Sequence, residues 1–366
     1  MTPAWTRTAT PPTSTPAFTT TAPTRPPSPR CSPPTGKRSA SSGKAPNASV
    51  ASSLRRQTAP PPPILFMETL SAARVLGGKI WYERIQGNRD VAVQDAHALL
   101  RCGRLVRQQP LSLVALLVAA TIEDVGLAEI QGLARDPQIS EAQLKRLRAL
   151  VDDIPPWDAP TQHAVKAEFH NINAVLEHID TNSNILANRS VWQLFLTRHS
   201  FLLHQTQRDL ADTHRAYISA IHECYSDVAF PIESNLKTLT LLRMVFVKNA
   251  LGRFSTSFSR EGRRHFMTNR CRMDAHIAAT KIVIACHLFQ RETGRRPGTL
   301  GELVPSYLPS VPLDPFDGKP FRYKPGEGII YSVGEGLEDL DGAAANSGYP
   351  SNPWWGDKNA PFKIWD

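Results

Sequence analysis

The chain has 366 residues, enough for one large or two ordinary domains, and 41% of them are hydrophobic, which excludes a chain that is disordered throughout. The net charge is +9, but eight of the 42 basic residues and none of the 33 acidic residues lie within residues 1–63, so the rest carries only +1. Nucleic-acid binding needs a basic face on the folded part, so no nucleic-acid partner is expected. The five cysteines form no C-x-x-C pair, which argues against a disulfide framework and a zinc knuckle.

The first segment, residues 1–63, holds nearly half of the 31 prolines, and Thr, Ser and Ala fill most of the rest. Such a segment buries too little apolar area to offset its chain entropy, so we expect a disordered basic tail. Three interpretations stay open: a flexible basic arm, an acid-free transit-like segment, or a mispredicted start in which upstream coding sequence is read in the wrong frame. The abrupt onset of helical periodicity at Ile64 favours the third.

Residues 64–262 are predicted to form an all-helical domain, because their apolar residues recur at helical spacing and short links join the helices. Ser140 and Gln143 have the spacing of a capping box, and Pro110 suits the first turn of another helix. The run Leu111–Ile122 stops at an acidic pair and is too short for a bilayer, so it predicts a buried helix. The helices are predicted, in rough bounds, over 66–85, 90–108, 110–134, 140–151, 161–179, 191–225, 232–251 and 268–292.

Motifs that carry chemistry are missing from this helical part: there is no H-E-x-x-H, no G-x-S-x-G and no phosphate-binding glycine loop. His163 and His170 share a helix face, which leaves metal contact open beside the ordinary interpretation of surface or core histidines. A histidine-dependent hydrolase would need His163, His170 and His204 to meet a carboxylate in one pocket. The basic run Arg260–Arg272 favours a solvated loop over an anion site.

The C-terminal segment, residues 263–366, carries the most specific pattern. A long helix ends at Gly294, and the run 299–302 caps a short helix. The alternation in 321–323 and 329–332, with a glycine-rich turn between them, predicts a β-hairpin. An acidic, glycine-rich loop follows at 334–342.

Spaced Pro, Gly, Asp and aromatic residues of this module form a pattern: Pro297, Leu300, Leu303, Tyr307-Leu308-Pro309, Asp314-Pro315, Gly318, Pro320, Tyr323, Tyr331-Ser332 and Gly334. With these positions the module resembles the C-terminal domain of the major pseudopilin of bacterial type II secretion systems. The resemblance covers the module alone, and the whole chain is similar to a group of uncharacterised bacterial helical envelope proteins with an N-terminal membrane anchor and a Leu/Ala-rich middle.

The pseudopilin resemblance implies calcium in the acidic loop, since carboxylate and carbonyl oxygens are the ligands of this cation. The candidate metal ligands are Glu338, Asp339 and Asp341. The loop departs from the family pattern in carrying extra residues, and Lys363 stands where the family has an aspartate. No other cofactor is expected.

The expected fold class is mainly α: a helical bundle or array, followed by a small α+β pseudopilin-like module with a β-hairpin. The leading hypothesis for the function is a non-enzymatic scaffold or interaction protein of the bacterial cell envelope, with no catalytic residues and a protein partner. The alternatives are a soluble helical-repeat adaptor that binds peptides and a histidine-dependent hydrolase. The sequence shows no signal peptide and no transmembrane span, so membrane association is expected only if an upstream anchor is missing from this gene model.

Overall fold

The computed structural model of the chain describes residues 63–108, 112–181, 199–228, 246–342 and 359–365. These residues form a mainly α-helical protein with a small antiparallel sheet near the C-terminus, so the predicted fold class is confirmed. The expected disordered tail lies outside the described residues, as does most of the helix predicted over 232–251.

The elements follow one another as a run of helices and then three short strands. The helices are α1 (Pro63–Ile85), α2 (Arg89–Gln108), α3 (Leu113–Ala134), α4 (Glu141–Asp152), α5 (Asp158–Thr181), α6 (Leu203–Ala220) and α7 (Ala250–Thr293). Short 3-10 helices occupy Tyr225–Asp227 and Leu300–Leu303, and the strands are β1 (Arg322–Lys324), β2 (Ile329–Ser332) and β3 (Ala360–Lys363). No helix in these described stretches combines the length and the apolar character that a bilayer crossing requires.

The helix ends follow from local capping. Ser140 and Gln143 form the predicted capping box at the start of α4, with each side chain bonded to the backbone N–H of the other residue. Helix α3 starts at a different place from the predicted one: the Oγ of Ser112 accepts a hydrogen bond from the N–H of Ala115 at 3.2 Å, and Pro110 lies outside the described residues. Gly294 ends α7 in the left-handed conformation that a residue without a Cβ adopts most easily.

Helix α7 is the central element. It packs against α3, α4 and α6 and also contacts β2. Two polar contacts tie it to α3: the Nδ1 of the buried His276 lies 2.6 Å from the Oδ1 of the partly buried Asp124, and the Nε2 of Gln131 donates to the Oγ1 of Thr280 at 2.8 Å in a fully buried contact. Both contacts fix the register of the two helices, because a shift of either would leave buried polar groups unpaired.

The length of α7 differs from the prediction. The sequence predicts a helix over 268–292, whereas α7 has 44 residues and begins at Ala250, so the predicted boundary between residues 262 and 263 falls inside a continuous helix. Burial of α7 is also not confined to a single stripe of residues. From Met273 to Phe289 residues on every side of α7 are buried, because helices and the sheet both pack on it.

The three strands form an antiparallel sheet in the order β1-β2-β3, which confirms the predicted hairpin and adds a third strand that the sequence analysis missed. The register places Ile330 between Tyr323 on β1 and Phe362 on β3. The ring of Phe362 lies against that of His276 in a tilted arrangement with centroids 5.5 Å apart, and the sheet and the helices share one hydrophobic core.

Backbones approach each other closely where α2 crosses α3, at Gly103. A Cβ at this position would lie 2.6 Å from the Cγ of Glu123 and 3.3 Å from its backbone nitrogen. We expect Gly103→Ala to lower the free energy of unfolding by about 1–3 kcal/mol in urea denaturation, because overpacking outweighs the gain in helix propensity.

Gly78 offers the matched control, because it lies in α1 with no atom within 4 Å of an added Cβ. Gly78→Ala should raise the free energy of unfolding by about 0.5–1 kcal/mol. Equal gains for the two variants would show that α2 and α3 are not in contact at Gly103.

Candidate functional site

The acidic loop that the sequence singled out lies beside the sheet, and cations of the chain itself pair with two of its carboxylates. The Oδ1 of Asp339 accepts a hydrogen bond from the hydroxyl of Tyr331 at 3.0 Å, and its Oδ2 lies 3.4 Å from the Nε of Arg322. The Oδ2 of Asp341 lies 2.7 Å from the Nζ of Lys324. The side chain of Glu338 is exposed, and its backbone carbonyl accepts a hydrogen bond from Asn359 at 2.7 Å.

Asn359, just before β3, holds this loop in place. Its Oδ1 accepts hydrogen bonds from the N–H groups of Leu340 and Gly342, at 2.8 and 3.1 Å, and its Nδ2 donates to the carbonyls of Val333 and Glu338. Within the loop, Leu337 and Asp341 have φ values of 57°, in the left-handed region that side chains rarely adopt. Such conformations persist where the surrounding structure fixes them, as the amide of Asn359 does here.

Asp314 is fully buried and is linked to the loop through Arg322. Its carboxylate accepts hydrogen bonds from the hydroxyl of Ser332 and from the N–H groups of Phe316 and Val333, at 2.8–3.0 Å. Burial raises the pKa of Asp314, while these hydrogen bonds act in the opposite direction. Arg322 pairs with Asp314 and with the loop residue Asp339, so a single guanidinium joins the buried carboxylate to the exposed loop.

Calcium binding stays a prediction. Across the stretches that the structure describes, no group of three or more His, Cys, Asp or Glu side chains is arranged to hold a metal ion. A calcium ion bound by Glu338, Asp339 and Asp341 would have to displace Arg322 and Lys324 from the two aspartates. The chemistry of the oxygens fits the ion, and the present pairing opposes it.

We expect calcium, if the loop binds it, to raise the melting temperature of the full chain, because a ligand that binds only the folded state stabilises it. The measurement is a thermal shift at about 10 mM calcium, above the weakest range typical of extracellular calcium modules. Magnesium at the same concentration is the control for ionic strength, and Asp339→Asn should abolish the shift. An unchanged melting temperature would rule out these ligands.

A second site, which the sequence analysis missed, is a cleft of about 300 Å³ between α2, α3 and the chain at the end of α4. Its lining mixes apolar and polar side chains, and its rim carries several charges. The apolar lining residues are Leu100, Leu105, Leu150, Ile154 and Pro155, the charged ones are Arg101, Arg104, Arg107, Glu123 and Asp153, and His97 and Gln108 complete the lining. At the rim, the Nη1 of Arg104 lies 2.7 Å from the Oδ2 of Asp153.

A buried ion pair forms the floor of this cleft. Arg107 and Glu123 are each 1% exposed, and the Nε of Arg107 lies 3.0 Å from the Oε1 of Glu123. The Nη1 of Arg107 donates to the carbonyl of Pro155 at 2.9 Å, and its guanidinium carbon lies 4.7 Å from the centre of the Trp157 ring. The Nη2 has no hydrogen-bond partner in the structure. The side chain is thus fixed from several directions and keeps one unsatisfied donor.

The buried pair is electrostatically costly for both partners. Burial raises the pKa of Glu123 to about 7, although Arg107 and Trp157 act in the opposite direction. Burial also lowers the pKa of Arg107 from its usual value. Because desolvation outweighs the mutual attraction of the two charges, the pair is a poor source of stability.

The sequence contains a weak signal for this floor. Leu100, Gly103 and Arg107 recur at helical spacing and all are buried, so Arg107 places a charge on the apolar face of α2. Glu123 interrupts a strongly apolar helix in the same way. In the sequence, Glu123 marks only the end of an apolar run. Its pairing with Arg107 cannot be predicted there, because a charged residue does not reveal which distant residue it contacts.

The histidines of the hydrolase hypothesis lie elsewhere. His163, His170 and His204 are exposed on α5 and α6, and none of them lines the cleft. The basic run Arg260–Arg272 is not the predicted solvated loop: it lies within α7. Among the described arginines of this run, Arg264 pairs with Glu335 at 3.1 Å and Arg270 pairs with Asp158 at 3.5 Å, so these pairs join α7 to other parts of the chain.

Comparisons of this chain with protein-family models, curated proteins and solved structures find no match. Its function is therefore inferred from the geometry of its own residues. The resemblance to the type II secretion pseudopilin stays a proposal.

We expect Glu123→Gln to remove a pH-dependent cost of folding. The pKa of Glu123 is raised from 4.5 to about 7 in the folded state, so folding takes up a proton between these values. Relative to Glu123→Gln, the free energy of unfolding of the unsubstituted protein should fall by up to about 3 kcal/mol as the pH rises from 4.5 to about 7. Below pH 4.5 the difference between the two proteins should be constant, because Glu123 is protonated in both the folded and the unfolded state.

Urea denaturation over this pH range measures the difference. Asp153→Asn serves as the control, since it removes a largely exposed carboxylate at the rim of the same cleft. A difference between the protein and Glu123→Gln that does not change with pH would contradict the assignment.

Proposed function

We propose that this protein is a non-enzymatic scaffold of the bacterial cell envelope, whose C-terminal module presents the acidic loop as a rigid surface to a protein partner. The observation that supports this proposal most directly is the way the loop is fixed. Asn359 makes four hydrogen bonds, three to the loop and one to Val333 directly before it. A loop held in this way loses little entropy on binding, which favours recognition without rearrangement.

The rigidity of the module as a whole gives further support. The Nε2 of His287 on α7 donates to the carbonyl of Ile364 at 2.8 Å, and the rings of His287 and Trp365 meet at 4.5 Å. Arg135 at the end of α3 donates to the carbonyl of Lys363. These contacts attach the C-terminal residues to α7 and to the end of α3, as a rigid scaffold requires.

The chemistry of the loop indicates what kind of partner it fits. Leu337 is 40% exposed and is followed directly by the exposed side chains of Glu338 and Asp339. An apolar side chain among carboxylates is complementary to a basic protein surface with a small apolar depression. The pseudopilin resemblance supplies the envelope setting of this proposal.

Photo-crosslinking in the native cells tests the proposal. A photoreactive amino acid at position 337 should give one discrete crosslinked protein in the envelope fraction. The same amino acid at position 175 is the matched control, because Val175 on α5 is also exposed, at 59%. Equal crosslinking at the two positions, or a protein found only in the soluble fraction, would reject the proposal.

The variant Asn359→Ala separates rigid presentation from mere exposure. Asn359 is buried, so its removal alters no exposed side chain. We expect this variant to keep its helical circular dichroism and to lose most of the crosslink at position 337. An undiminished crosslink in a folded variant would show that the fixed loop is not what the partner recognises.

A further inference from the structure

The cleft floored by Arg107 has a donor without an acceptor. Native proteins satisfy nearly all buried polar groups, so an unpaired guanidinium nitrogen calls for an explanation. Arginine stays protonated in proteins and can only donate. The Nη2 of Arg107 has no acceptor in the structure, and both carboxylate oxygens of Glu123 also lack a hydrogen-bond partner, so this buried pair leaves one donor and two acceptors unsatisfied.

The charges of the cleft favour an anion. Three arginines, Arg101, Arg104 and Arg107, face two carboxylates, Glu123 and Asp153. Burial raises the pKa of Glu123, which reduces the compensation of Arg107 further. A cation would meet a net positive lining, so the ligand carries negative charge.

The walls limit the size and the chemistry of the ligand. Leu150, Ile154 and Pro155 give the cleft an apolar side that offers no hydrogen bonds to a phosphate or to a cluster of waters. A volume of 300 Å³ holds on the order of ten non-hydrogen atoms, at about 30 Å³ for each. A planar carboxylate matches a guanidinium, and an alkyl chain matches the walls.

We infer that this cleft binds a small aliphatic monocarboxylate, whose carboxylate pairs with Arg101 and Arg104 and whose alkyl chain lies against Leu150, Ile154 and Pro155. The site is in the helical body and is independent of the partner surface proposed for the acidic loop. The two proposals can therefore fail separately.

Calorimetric titration of the full chain with hexanoate tests the inference, at constant ionic strength. Hexanoate should bind saturably. Hexanamide, which lacks the charge, and acetate, which lacks most of the alkyl chain, should each bind at least about tenfold more weakly. Equal affinity for hexanamide, or no saturable heat with hexanoate, would overturn the inference.

Two variants of cleft residues and one control variant complete the test, and none of them changes the buried pair of Arg107 and Glu123. Arg104→Gln should weaken hexanoate about tenfold. Arg146→Gln should leave the affinity unchanged, because Arg146 also pairs with an aspartate at the surface but does not line the cleft. Ile154→Phe should block the cleft while retaining every charge. Equal effects of Arg104→Gln and Arg146→Gln, or full binding by Ile154→Phe in a folded protein, would contradict the inference.

Discussion

Helix α7 packs against helices and also against the sheet, and the rest of the structure depends on this double burial. Its small residues, such as Ala275, Ala279 and Ala285, let neighbouring elements approach on several sides. Because one rigid helix contributes to both parts, the sheet is positioned relative to α3 and α4 without a flexible linker. The same helix also positions the acidic loop, because the loop is held against the sheet that packs on this helix.

Buried polar contacts add specificity to this packing. Apolar side chains alone tolerate small shifts of one helix along another, whereas a buried hydrogen-bonded pair tolerates few. The pair of His276 and Asp124 and the pair of Gln131 and Thr280 fix α7 on α3. The pair of Arg107 and Glu123 differs from them, since it keeps unsatisfied groups at a cleft. A polar group that only fixed the packing would be satisfied by its partners.

Local signals in the sequence were sufficient for the hairpin and for several helix ends, such as the start of α4 and the end of α7. The capping box at Ser140 and the glycine at 294 act through residues close in sequence, so they can be recognised without knowing the fold. Strand β3 gave no comparable signal, because four residues that include Pro361 show no clear alternation. The strand forms because its backbone pairs antiparallel with β2. The extra length of α7 was missed because serines and Gly262 interrupt its apolar periodicity.

The two candidate sites, the acidic loop and the cleft, also differ in how far the sequence could predict them. The acidic loop is a contiguous run and could be found from composition, but its pairing with Arg322 and Lys324 depends on the sheet. The cleft is built from α2, α3 and the end of α4, and its charges are understandable only as a set. Arg107 and Pro155 are 48 residues apart, and no spacing rule connects them.

The contact between Gln131 and Thr280 joins residues 149 positions apart, which has a consequence for synthesis in the cell. Ribosomes add about 5–20 residues per second, so α3 emerges on the order of 10 s before the helix that covers it. During this interval α1, α2 and α3 can pair through contacts close in sequence, while the surface of α3 that receives α7 stays open to solvent. The nascent chain thus passes through a stage at which chaperones can reach an apolar surface that the finished protein hides.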